Sequence, residues 1–210
     1  MIKYWQDNSA RMMQLTIEHA RMVLIALFIA FLVAIVLIAV FLRKKNWMNS
    51  LIYFFSLLYS VPSYAFFALL IPITGLGETT AIIVLAFYNE YVLLRTFITG
   101  IREVDPNYIK VARGMGMTQE EIFTKVQLPL SMPAIFSGLQ VALASTMAIA
   151  TIASTISAGG LGDLMFEGLQ TGRVVSILWG TILTVALTWV CIVILKLIEN
   201  LVISDGLEKS

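Results

Sequence analysis

Between Met22 and Leu42 the chain runs 21 residues without a charged side chain. At 1.5 Å of helix rise per residue, that length crosses a hydrocarbon layer roughly 30 Å thick. The run is too long for the apolar region of a signal peptide and no small-residue cleavage site follows it, so a retained span is expected. Other uncharged stretches repeat the pattern. Residues 46–77 hold a second expected span at about 51–73, and 79–98 form a third, interrupted by Glu90 and, near one end, by Arg95. Residues 126–162 hold a fourth span at about 133–157, and 174–195 form the fifth. With 59% apolar and 13% charged residues, the expectation is an all-α integral membrane protein. It has five transmembrane helices in one domain spanning 1–210, with no room for a separate soluble domain.

The short connections orient the spans, because Lys and Arg accumulate on the cytoplasmic side. With the N-terminus outside, the cytoplasmic segments carry Arg43, Lys44, Lys45, Arg95, Arg102, Lys110, Arg113, Lys125, Lys196 and Lys209, and the outer segments carry Lys3, Arg11, Arg21 and Arg173. Ten against four favours an outer N-terminus and a cytoplasmic C-terminus. A formal net charge of +1 offers no basic face to neutralise phosphates, which argues against a nucleic-acid partner. Cys191 is the single cysteine, so no intramolecular disulfide is possible.

The longest charged segment between two apolar runs lies at 101–130 and reads as two short helices around a glycine hinge. Asp105 suits an N-cap and Pro106 the first helical position, where its missing N–H costs nothing. Gly114 and Gly116 stop that helix. Thr118 and Glu121 fit a capping box, opening a second short helix expected to reach about Val126 before Pro129. Each half is too short to be stable alone, so a polar hairpin held out from the membrane needs a partner surface.

The same segment resembles the cytoplasmic loop of type I ABC importer permeases, whose pattern is Glu-Ala-Ala, three residues, Gly, nine residues, Ile, one residue, Leu-Pro. Here Lys110, Val111 and Ala112 are followed at that spacing by Gly116, Val126, Leu128 and Pro129. Lys110 stands in place of the glutamate and Val111 in place of the first alanine. The resemblance implies the permease fold of the methionine-permease type and a loop that docks on a separate ATPase subunit. It further implies ATP and Mg on that subunit with no cofactor on this chain, a second permease copy or paralogue, and an extracytoplasmic substrate-binding protein in a bacterial inner membrane. The stretches 61–82 (VPSYAFFALLIPITGLGETTAI), 125–135 (KVQLPLSMPAI) and 156–163 (ISAGGLGD) are similar to permeases importing glycine betaine, carnitine, choline or proline. A methionine or other amino-acid permease is the second reading, since methionine permeases share the AGGLG element, and a non-transport membrane scaffold is the third.

Within the spans, several residues suit a translocation path or gate. Pro62 and Pro72 remove backbone hydrogen bonds in the second span. The fourth span is rich in small residues, among them Gly138, Ala142, Ser145, Ala148 and Ser154, which permit close helix approach or line a polar path. Gly159, Gly160 and Gly162 form a turn at the outer face, which in the resembled family leads to an outer gate. Glu90 has two readings. A carboxylate near mid-membrane costs about 2.5–3.5 kcal/mol on insertion scales, so it either pairs structurally or attracts a cationic substrate, with Tyr88 and Tyr91 assisting through cation–π contacts.

Enzymatic alternatives lack parts. No Gly is followed by Lys, which excludes a P-loop. The single His19, at the start of the first span, has no glycine-flanked serine to partner it. One His and one Cys do not make a zinc site. The expectation is a transporter subunit whose energy comes from another polypeptide.

Overall fold

The computed structural model describes residues 1–41 and 44–203. Leu42, which ends the first expected span, and Arg43 and Lys209, which entered the charge comparison, lie outside the described residues. Every regular element among the described residues is a helix, and there is no strand among them. Among the described residues four helices are long and apolar enough to cross a membrane, and a bent pair brings the number to five when it is counted as one span.

Helix α1 runs unbroken over Ile2–Phe41, 40 residues or about 60 Å of axis, twice what the hydrocarbon requires. Its second half is the apolar run. Its first half continues as helix because one face is held: Met12, Leu15 and His19 are buried, with Met12 and Leu15 against Leu161 and Leu164.

The second crossing corrects the expectation of one helix over 51–73. It divides into α2, Lys45–Tyr59, and α3, Ser63–Thr74, whose axes turn by 96°. Pro62 sits at φ −57° and ψ 130° as the N-cap of α3. Its ring disfavours helical backbone at Val61, and its missing N–H ends the α2 ladder. The freed Val61 carbonyl accepts the Tyr88 hydroxyl. Pro72, by contrast, lies inside α3 without ending it.

Helix α4, Glu78–Glu103, is the centre of the molecule, packed against α1, α2, α3 and the later helix α7. It meets α7, Leu128–Ile152, through small residues. A Cβ on Gly138 would overlap the Thr96 hydroxyl, and one on Gly100 would overlap the Ala134 side chain, so both glycines allow the two backbones to approach. Thr146 Oγ1 donates to Asn89 Oδ1 at 2.7 Å inside this seam.

The polar hairpin consists of α5, Pro106–Gly114, and α6, Gln119–Ile122. Instead of a second short helix ending before Pro129, α6 passes through a π-helical turn, Phe123–Gln127, directly into α7. The physical cause is Pro129, which cannot donate to the carbonyl four residues back and whose ring crowds it; a widened turn there relieves both. After α7, a 3-10 turn over Ala153–Ile156 leads to α8, Gly162–Thr171, and α9, Val174–Val202.

Candidate functional site

The expected site residues fall into three clusters at different levels of the helix bundle. The first is the polar hairpin. Asp105 accepts the Asn107 amide at 2.8 Å, capping α5 with Pro106 at its start. The Met117 amide reaches back to the Ala112 carbonyl at 3.2 Å, and between them Gly116 has φ +82°, in the left-handed region where a Cβ is disfavoured. The capping box forms: Glu121 N donates to Thr118 Oγ1 at 3.3 Å and Thr118 N to Glu121 Oε2 at 3.0 Å. That amide, then Lys125 Nζ at 3.0 Å, hold the exposed Glu121 carboxyl down at about 2, well below the usual carboxylate range. Ala112 and Ile122 anchor the hairpin inward at 4% and 1% exposure. Tyr108, Val111 and Met115 point away from the fold with half or more of their surface exposed, and Lys110 is exposed beside them. The spacing of 108, 111 and 115 sets the three apolar side chains on one helix face. Val126, Leu128 and Pro129 are half-buried where the hairpin rejoins α7.

The second cluster is the glycine turn between α7 and α8. Ser157, Gly159 and Gly160 have φ of 61°, 77° and 83°. The Gly160 amide donates to Glu18 Oε2 at 3.3 Å. A Cβ on Gly160 would sit 3.0 Å from His19 Nδ1, and His19 Nε2 lies 3.2 Å from the Met147 carbonyl oxygen. Gly162 opens α8 against the end of α7, where a Cβ would strike the Thr151 carbonyl. Ser154 Oγ donates to that same Thr151 carbonyl at 3.0 Å, so its hydroxyl bonds within its own chain segment. Around the turn, Arg11 pairs with Glu167 at 2.6 Å and Arg21 with Glu78. Partial burial, followed by the neighbouring Glu18 carboxylate, pushes the Asp163 carboxyl up. The N-terminal half of α1, which carried no expected site residue, thus clamps the turn.

The third cluster is at mid-span. Glu90 is 4% exposed and Asn89 1%; Glu90 Oε2 and Asn89 Nδ2 have no hydrogen-bond partner among the described residues. Glu90 is therefore inside the subunit, away from the open face of α4. Tyr91, one residue on, lies on that open face. It lines a groove of about 350 Å³ between α2 and α4, with Asn49, Tyr53, Arg95, Thr99 and Arg102. Arg95 donates to the Tyr91 hydroxyl and Arg102 to Asn49 Oδ1 at 3.0 Å. Pro62, exposed at the α2–α3 break, stands close in sequence to Val61, which Tyr88 holds. Arg95 as a groove residue was missed from sequence, where it served only to orient the spans. Its signal was the helical repeat of 91, 95, 98 and 102.

A family model described as "Binding-protein-dependent transport system inner membrane component" matches residues 26–204. The choline transport system permease protein OpuBB of Bacillus subtilis (strain 168) is 33% identical over 209 residues, covering 100% of this chain and 96% of its own length. The carnitine transport permease protein OpuCB of Listeria monocytogenes is 36% identical over 182 residues, covering 87% and 84% respectively. Among solved structures, the MetNI methionine ABC transporter in an inward-facing conformation matches with a TM-score of 0.79 at 19% identity, over 91% of this chain and 98% of that one. At that identity the likeness is one of fold.

Proposed function

This chain belongs to the family of binding-protein-dependent transport system inner membrane components, and on that premise we propose that it is the permease subunit of an ATP-driven osmoprotectant importer, carrying a substrate such as glycine betaine, carnitine, choline or proline. As a family member it is a multi-pass membrane transport component, not an enzyme. The observation that carries the mechanism is the cytoplasmic hairpin: two capped helices around Gly116, with Tyr108, Val111 and Met115 exposed on one face. An apolar face held out on a rigid, polar-capped hairpin fits a groove on an ATPase subunit. Because α6 passes through the π turn into α7, a push on the hairpin moves the fourth crossing directly. ATP and Mg reside on that ATPase.

Two copies of this chain, or this chain and a paralogue, would enclose the path. The outward stripe of Ser137, Val141, Ala144 and Ala148 on α7 supports a close helix contact. A binding protein would deliver substrate to the outer turn of Gly159, Gly160 and Gly162. We assign Tyr91 to the path, Pro62 and Ser154 to its supporting helix ends, and Glu90 to the subunit interior. The relatives named for choline and carnitine favour an osmoprotectant over methionine, whose support is the AGGLG element and the similarity in fold.

Purification of the tagged protein should bring down an ATPase subunit, and the reconstituted complex with its binding protein should take up radiolabelled glycine betaine, carnitine or choline in an ATP-dependent way. Recovery without any ATPase would overturn the permease reading. For orientation, cysteines introduced at Asn8 or Gln170 should react with an impermeant thiol reagent in intact cells and one at Gln119 should not; the reverse pattern would invert the topology and remove the docking role of the hairpin.

A further inference from the structure

The groove between α2 and α4 contains two cations that packing does not require. Arg95 lies eight residues before the end of α4, roughly 12 Å along the axis, and its side chain is exposed at the open face rather than folded into the core. Facing lipid at that depth is costly for an arginine, and a watered groove relieves the cost. Among the described residues neither Arg95 nor Arg102 has a carboxylate partner. Each is instead oriented by a neutral group, Arg95 by the Tyr91 hydroxyl and Arg102 by the Asn49 side-chain oxygen. The Arg95 guanidinium carbon lies 5.8 Å from the centre of the Tyr91 ring, and the Tyr91 and Tyr59 rings lie 5.0 Å apart, tilted by 42°. Tyr53 borders the same space with its ring 66% exposed.

We infer that this groove is a specificity site of the permease itself, in which Arg95 and Arg102 read the carboxylate of a zwitterionic osmolyte and the rings of Tyr91 and Tyr53 face its ammonium group. The inference rests on the osmoprotectant reading above. A guanidinium offers a planar fork that matches a carboxylate through two parallel N–H donors, and aromatic faces attract quaternary ammonium groups. Glycine betaine and carnitine carry both charges; choline carries only the cation. Two unneutralised guanidinium groups repel choline and attract the carboxylate end of the other two. A cavity of about 350 Å³ accommodates such a small zwitterion.

The test is equilibrium binding of radiolabelled glycine betaine and choline to the purified permease–ATPase complex in nanodiscs without its binding protein. Discrimination then comes from the permease alone. Glycine betaine is expected to bind at least about tenfold more tightly than choline, the effect of one charge-assisted hydrogen bond. Arg95→Gln should remove most of that difference by weakening glycine betaine alone. Arg95→Lys, which keeps the charge but loses the fork, should fall between. Tyr91→Phe, which keeps the ring and frees the guanidinium from its tether, guards against a folding defect and should weaken glycine betaine a few-fold while leaving choline unchanged. Equal affinity of the parent for both ligands, or equal weakening of both by Arg95→Gln, would overturn the site while leaving the importer reading intact. A parent complex that takes up none of the osmolytes with its binding protein present would overturn the importer reading, and this inference with it.

Discussion

The Glu18 carboxylate accepts the backbone amide of Gly160 at 3.3 Å, joining the N-terminal half of α1 to a turn 142 positions further along the chain. Neither residue has a role in crossing the membrane. Their contact makes the N-terminal half of α1 a strap across one end of the bundle, continued by Arg11 on Glu167 and Tyr4 on Ser176.

Gly160 fits under this strap because it lacks a side chain. Gly160→Ala places a Cβ at φ +83°, 3.0 Å from His19 Nδ1. The left-handed backbone alone costs about 1–2 kcal/mol. The expected result is a lower thermal denaturation midpoint for the purified protein, whereas Glu18→Gln, which retains an acceptor oxygen, should shift it little. An alanine variant as stable as the parent would show that the strap does not hold the turn.

Glu90 is enclosed by the subunit, not by the groove, so its removal should affect stability more than transport. An amide of the same shape avoids the burial of a charge, which costs about 2.5–3.5 kcal/mol at mid-membrane on insertion scales. Glu90→Gln is expected to match or exceed the parent in thermal stability and to keep uptake within a few-fold. A selective loss of uptake with folding and ATPase association intact would return Glu90 to the substrate path.

The apolar lengths that mark the five crossings are plain in the chain because insertion depends on hydrophobic length. The hairpin caps are equally plain, because Asp105, Pro106, Thr118 and Glu121 act over three residues or fewer. What the sequence hid depends on long-range contacts. The continuation of α1 above Met22 carries Lys3, Asp7, Arg11 and Glu18 and is held by α8 and α9, although Met12, Leu15, His19 and Met22 already show a helical repeat. Pro62 announces a bend, but its 96° size comes from how α2 and α3 pack on α4. Tyr91 and Arg95 share a visible face; that Asn49 and Tyr53 stand opposite is a consequence of tertiary pairing.

The capping box gives the hairpin a pH dependence. The Glu121 carboxyl is held at about 2, below its ordinary 4.5, by hydrogen bonds to its ionised form. Its contribution is therefore complete above about pH 4.5 and fades as pH falls toward 2. Hydrogen exchange across 118–125 in the nanodisc-embedded protein, corrected for the intrinsic pH effect, should stay constant from pH 7 to 5 and quicken below 4.5. Glu121→Ala should exchange quickly at pH 7 and lose the transition. An unchanged acid transition in that variant would assign it to another group.

Gly114 and Gly116 stand two residues apart on the hairpin, yet substitution should separate them completely. A Cβ at either meets nothing within 4 Å, so steric crowding does not distinguish the two. Backbone does: Gly114 is the last residue of α5, where alanine is the better helix former by up to about 1 kcal/mol, while Gly116 has φ +82°, where a side chain costs about 1–2 kcal/mol and re-aims the helix that follows. The crossings insert through their apolar length and do not depend on either residue. Gly114→Ala should leave membrane insertion, substrate-stimulated ATP hydrolysis and uptake by the reconstituted complex at parental levels. Gly116→Asp should insert equally well but lower both hydrolysis and uptake, because α6 no longer leaves the Tyr108, Val111 and Met115 face at the angle set by the turn, and α7 is displaced with it through the π turn. If Gly116→Asp supports normal hydrolysis and uptake, the hairpin does not transmit motion between the ATPase and the fourth crossing.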